Sequence, residues 1–122
     1  IGLAQLRRWP EMKAKREKVW KVYEKGLGTK PEGHSMHLYT VQVGQRAKVR
    51  EYLYNKGIGT GIHYEALHLQ PAYKSLGYVK GDFPNAERIG ESTISLPVSN
   101  TMTEDDARYV VDCFKSIPEE LL

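Results

Sequence analysis

Glycine recurs three times in five positions within residues 55–68, Asn-Lys-Gly-Ile-Gly-Thr-Gly-Ile-His-Tyr-Glu-Ala-Leu-His, and no other stretch constrains the fold as much. A helical pattern ends just before it. Gly57 stands where a C′ glycine adopts the left-handed conformation, and Gly57, Gly59 and Gly61 are expected to pass through angles that other residues avoid. Out of this turn come Ile62, His63 and Tyr64, two polar-tipped rings at the end of an apolar step. Such a pair at a strand-to-loop exit can face a ligand; it can equally be two surface rings on a glycine turn.

The elements around this turn follow from periodicity. Ile1 to Leu6 reads as the middle of a helix, and Pro10 fits the first position of a second helix over residues 10–25, with Met12, Lys15/Arg16, Val19, Tyr23 and Leu27 on its inner stripe. Residues 29–35, with Pro31 and Gly33, form a loop. Residues 36–43 are rich in β-branched and aromatic side chains and predict a strand. Residues 46–56 carry Val49, Tyr52 and Leu53 at helical spacing. Residues 61–64 predict a short second strand, and residues 66–77 an irregular or short helical segment interrupted by Pro71. Pro84 opens a short helix through Glu91. Residues 92–96 give a third strand, stopped by Pro97. Thr103 and Asp106 form a capping box for a last helix whose stripe is Ala107, Val110, Val111 and Phe114. This order predicts one α+β domain over residues 1–122, with helices on one face of a three-stranded sheet.

Composition narrows the functional classes. A chain of 122 residues supports one modest core. Its apolar runs are too short to span a bilayer, which excludes a membrane helix, and no leader pattern is visible. Cys113 has no partner for an internal disulfide and lies in a helical pattern, so a reducing, cytoplasmic setting is expected. Residues 1–30 hold nine Lys/Arg against three Glu. No nucleic-acid reader motif accompanies that charge, so a solvated helix face is expected rather than a nucleic-acid site. His34 and His37 are three residues apart, on opposite faces of a strand, and His63 and His68 are five apart, so no metal site is expected. A Cys-His nucleophile, a phosphate loop, a dinucleotide fingerprint and a nucleophile elbow are not found.

Taken together, several stretches form a recognisable series. They are Gly2-Leu3-Ala4-Gln5-Leu6 with Arg16 and Tyr23; His37-Leu38-Tyr39; Gly57 through Tyr64 with Gln70-Pro71-Ala72-Tyr73; Pro84-Asn85-Ala86-Glu87 leading to Ser95-Leu96-Pro97-Val98; and Thr103-Glu104-Asp105-Asp106. In this order the chain resembles the C-terminal part of the DegT/DnrJ/StrS-type sugar aminotransferases, which use pyridoxal phosphate. The resemblance implies the small C-terminal domain of the aspartate-aminotransferase fold (fold type I). It implies an enzyme of amino-sugar and polysaccharide biosynthesis, a homodimer when complete, that moves an amino group from glutamate to a keto sugar linked to a nucleotide. The cofactor lysine and the acid that holds the pyridine nitrogen belong to an upstream large domain, so no catalytic or cofactor-binding residue is assigned here and this chain alone is expected to be inactive, without bound cofactor. By resemblance, His63 and Tyr64 contact the nucleotide sugar, His37 stands at the start of the first strand and either touches substrate or orients the strand entry, and Glu87 is structural within the short helix. Two rivals remain: a stand-alone interaction module with the same fold, and a fragment of a related pyridoxal-phosphate-dependent sugar dehydratase.

Overall fold

The computed structural model describes residues 1–28 and 35–122, so most of the expected 29–35 loop, and His34 with it, lies outside the described residues. The described residues form four α-helices, α1 (Gly2–Leu27), α2 (Arg46–Asn55), α3 (Pro84–Ser92) and α4 (Glu104–Lys115), and two strands, β1 (Tyr39–Gln42) and β2 (Thr93–Leu96). Three short 3-10 turns, Leu67–Leu69, Pro71–Leu76 and Glu119–Leu121, complete them. The contacts group into two compact units, one of Ile1–Tyr39 with Pro97–Ser116, the other of Thr40–Leu96 with Ile117–Leu122.

The first unit is built from α1 and α4. One helix replaces the expected pair at the N-terminus: α1 runs on through Pro10. A single proline removes one intrahelical bond, and the strong helix formers on both sides, Ala4 to Arg8 and Glu11 to Arg16, carry the helix across it. The buried residues of α1 are Val19, Trp20 and Tyr23, whereas Lys15 stays exposed. Against them α4 buries Ala107, Val110, Val111 and Cys113. The helices approach so closely that a Cβ on Gly26 would lie 2.5 Å from Val111 Cγ1. Tyr39 completes this core, its ring centroid 5.0 Å from those of both Trp20 and Tyr23. Both phenols find acceptors, as buried hydroxyls must: Tyr39 donates to the Gly28 carbonyl at 2.6 Å and Tyr23 to the Pro97 carbonyl at 2.7 Å. The capping box of α4 forms as expected, Thr103 Oγ accepting from the Asp106 N–H at 3.1 Å while Asp106 Oδ2 accepts from the Thr103 N–H at 2.7 Å.

The second unit centres on β2, buried along all four residues. The sheet is two-stranded, β1 beside β2, and not three-stranded. The expected strand over 61–64 shrinks to one antiparallel bridge between Gly61 and Ser95. Its period-2 run is too short, because past Gly61 the chain turns away under the hold of side chains described below. The first strand is also shorter than expected, since Met36 adopts φ 53 and Tyr39 is the first residue to pair. Helix α2 buries Val49 and Leu53. It ends in a Schellman motif, Gly57 N–H to Tyr54 O at 2.8 Å and Ile58 N–H to Leu53 O at 2.9 Å. Gly57 has the left-handed φ of 75 that this requires. Ile58 and Leu53, the apolar positions that accompany the motif, are both buried.

Candidate functional site

The site is the rim that begins at Gly61. Gly61 exchanges both hydrogen bonds with Ser95, at 3.0 and 2.8 Å, which brings the chain to the edge of β2. Neither Gly59 nor Gly61 takes the unusual backbone angles expected of them; only Gly57 of the three does. Gly61 is needed for a different reason: the His63 ring folds back over it, and a Cβ there would lie 2.4 Å from His63 Cε1. That ring is fixed by Ser95, whose Oγ stands 2.8 Å from His63 Nδ1. His63 is half-buried, while Tyr64, joined to it by a cis peptide bond, is 72% exposed. The two rings meet edge to face at 5.0 Å. Tyr64 borders an open recess of about 530 Å³ whose other walls are Ile62, Glu65, Leu67 and Gln70.

Charged side chains hold the backbone on either side. Arg50 of α2 donates through Nε to Thr60 Oγ at 3.1 Å. Arg46, one turn earlier, donates to the carbonyl of Gly90 in α3 and lies 3.5 Å from Glu65 Oε1. Gln70 donates to the other oxygen of Glu65 at 3.3 Å. Farther along, His68 and Glu87 are buried together, 8% and 6% exposed, with His68 Nε2 2.9 Å from Glu87 Oε1. The Gly81 and Phe83 N–H groups donate to that same oxygen at 2.8 and 3.3 Å. The Gly81 amide first, with His68 and Phe83 after it, holds the Glu87 carboxyl below its ordinary value of 4.5. Glu87 therefore closes the loop that leads into α3.

An amphipathic pair such as this has clear chemical capacities. A phenol donates and accepts, and an imidazole tethered at Nδ1 presents Nε2. Together they can bind hydroxyls or an anionic oxygen while their faces cover an apolar ring. His37 lies in the first unit with an exposed side chain; its carbonyl accepts from Arg16 Nη2 at 2.7 Å. His63 and Tyr64 lie in the second unit. Three residues that shape the rim escaped the sequence: Ser95, Arg46 and Glu65. Ser95 left a signal, because a hydroxyl in a short apolar strand bounded by proline must find a partner when buried. Among the described residues, no group of three or more His, Cys, Asp or Glu side chains is placed to hold a metal ion, and no helix is long and apolar enough to cross a membrane.

Known proteins share this sequence and this fold. An uncharacterized protein of Methanocaldococcus jannaschii, MJ1066, is 40% identical over 98% of this chain and 36% of its own length. The spore coat polysaccharide biosynthesis protein SpsC of Bacillus subtilis is 32% identical over 96% of this chain and 35% of its own. Among solved structures, the putative sugar aminotransferase Spr1654 from Streptococcus pneumoniae in its PMP form superposes with a TM-score of 0.89 at 30% identity, over 99% of this chain and 34% of that one. DesV of S. venezuelae, in complex with a ketimine intermediate, superposes with a TM-score of 0.82 at 28% identity, over 90% of this chain and 33% of that one. The chain thus spans about a third of the length of the relatives it matches. With its residues 1–115 matched by the family's sequence profile, the chain belongs to the DegT/DnrJ/EryC1/StrS aminotransferase family.

Proposed function

We propose that these 122 residues are the small C-terminal domain of a pyridoxal-phosphate-dependent sugar aminotransferase, and that His63 and Tyr64 contact its nucleotide-linked keto sugar. The observation that carries this reading is the rim itself: His63 tethered by Ser95, and Tyr64 held out beside a recess. His37, exposed in the first unit, is assigned to the substrate side as well. Glutamate is the amino donor in this reading, the complete enzyme is a homodimer, and its compartment is the cytoplasm. The similar putative sugar aminotransferase Spr1654 of Streptococcus pneumoniae, solved in PLP and PMP forms, supports the cofactor.

When bound, pyridoxal phosphate supplies the electron sink for amino transfer. Its anchor is an amine that must lose its proton to react, and Lys15, Lys21 and Lys80, each held to a carboxylate, do not fit. Lys80 is exposed and paired with Glu91 at 2.8 Å, which raises its ammonium above the ordinary value. Lys15 and Lys21 pair with Glu11 and Glu17 one turn earlier on α1. What this chain contributes is orientation, a ring pair that grips sugar or phosphate oxygens and excludes water from one side.

The test is single-turnover kinetics on the two half-reactions of the complete enzyme. His63→Ala and Tyr64→Phe should weaken the nucleotide-sugar half and spare the glutamate half. A lost hydrogen bond costs about 0.5–1.5 kcal/mol to a neutral group and about 1.5–3 to a charged one. The sugar step should therefore fall by roughly a few-fold to a hundred-fold. Equal losses in both halves would mean that the pair is structural.

A further inference from the structure

Between the bridge at Gly61 and the turn that starts at Leu67, the rim is fastened by side chains to three elements. His63 is tied to Ser95 of β2. Glu65 is tied to Arg46 of α2, and the backbone of residues 65 and 66 rests on Gly90 of α3, where a Cβ would stand 2.7 Å from the Ala66 nitrogen. The last fastening is His68 to Glu87, a side-chain hydrogen bond buried at both ends. Because Glu87 Oε1 already accepts two backbone N–H groups, its role toward His68 is that of acceptor, and the imidazole carries a proton on Nε2. The His68 ring is pinned a second time by the edge of Phe83, 4.8 Å between centroids.

We infer that the buried His68–Glu87 pair is a positioning device for Tyr64: it fixes the downstream end of the rim and thereby where the exposed phenol stands beside its recess. Neither residue touches the substrate. The inference rests on the reading of His63 and Tyr64 as sugar contacts. Its physical basis is leverage: Tyr64 is four residues from His68 and three from Gly61, so its place is set by these two anchors, with the Arg46–Glu65 contact between them. Removing the downstream anchor leaves Gly81 and Phe83 on the carboxylate but frees the segment that follows Tyr64. A reactant held about 1 Å out of place can cost roughly a hundred-fold.

The experiment places a single fluorine label on the ring at residue 64 of the full-length protein by site-specific incorporation, and reads its resonance in a set of variants. His68→Ala should shift or broaden the resonance. Glu87→Ala should do the same. Glu87→Gln keeps the oxygen on which all three donors converge, and His68→Gln keeps a donor at the Nε2 position, so both should restore it. Thr103→Ala, which loosens α4 in the first unit, should leave it unmoved. With unlabelled protein, His68→Ala should slow the nucleotide-sugar half-reaction by about ten- to a hundred-fold with the glutamate half unchanged. Should Glu87→Ala not fold, His68→Ala carries the same test, since the carboxylate keeps its backbone donors. A resonance unmoved by His68→Ala, or moved equally by Thr103→Ala, overturns the inference. If the resonance moves but His63→Ala costs the sugar step nothing, positioning stands and the substrate reading fails. If His63→Ala is costly and the resonance is silent, the reverse holds.

Discussion

The two units solve the same problem by different means. In the first, α1 and α4 meet over large rings and branched side chains, Trp20, Tyr23, Tyr39, Val110 and Val111, and volume sets the geometry. In the second, an aliphatic centre of Val49, Leu53, Ile58, Ile94 and Leu96 carries a rim whose place is set by polar fastenings on Ser95, Arg46 and Glu87. Several apolar side chains around that rim, Tyr64, Leu67, Leu76 and Tyr78, stay substantially exposed. The lesson concerns failure. Loss of volume should cost the first unit stability, whereas loss of a fastening should cost the second unit the position of a functional group.

The sharpest way to break this contrast is to remove volume. Tyr23→Ala should destabilise by about 3–5 kcal/mol in denaturant unfolding, while Tyr23→Phe, which loses only the bond to the Pro97 carbonyl, should cost about 0.5–1.5. Equal costs would mean that the hydroxyl, not the ring, governs. Next comes Gly90→Ala. Alanine gains about 1 kcal/mol over glycine in a helix interior, but here its Cβ meets the backbone of Glu65 and Ala66, which has no rotamer to yield. Overpacking costs about 1–3 kcal/mol and should win, with the sugar step impaired as well. A stabilised variant would show that the rim gives way freely.

Smaller still is the cap. Thr103→Ala should cost about 1 kcal/mol and leave the sugar step untouched. The cap also sets a pH dependence. The Thr103 N–H and hydroxyl donate to Asp106 and hold its carboxyl below the ordinary 3.8. A depressed carboxyl contributes stability in full above that value and loses it as pH falls through the folded pKa. Melting curves across acid pH should show this loss, and Asp106→Asn should flatten it. The least disruptive measurement is spectroscopic. Burial pushes the Tyr39 phenol up to about 12 and raises Tyr23 further, so in an alkaline titration these two should ionise after the exposed tyrosines.

How much of this was legible depends on range. Helix α2 and the capping box of α4 were readable to within a residue, because Leu53, Gly57, Thr103 and Asp106 act within one or two turns of themselves. The series of motifs likewise led to the family. Pro10 misled, since one missing bond does not stop a helix with good formers on both sides. The second strand, over residues 61–64, was overread because its alternation covers only four residues, and beyond Gly61 the side chains of Ser95 and Arg46 hold the chain instead. Trp20 was missed because the stripe drawn through Lys15 and Arg16 ran beside it. The pairing of His68 with Glu87 had no local sign at all, since nineteen residues separate them. The nature of the rim was suggested by two rings after a glycine turn, but its fastenings are long-range.

The close approach at Gly26 has a consequence for how this sequence can change over generations. A methyl group there would collide with Val111, whose β-branched side chain has few rotamers to retreat into. Glycine costs about 1 kcal/mol within a helix relative to alanine, so a lineage would gain by replacing it, yet the direct step is closed. The open route passes first through a smaller residue at 111 and only then through alanine at 26. The two positions should therefore vary together among descendants, and the order of the changes should be the same wherever both have occurred.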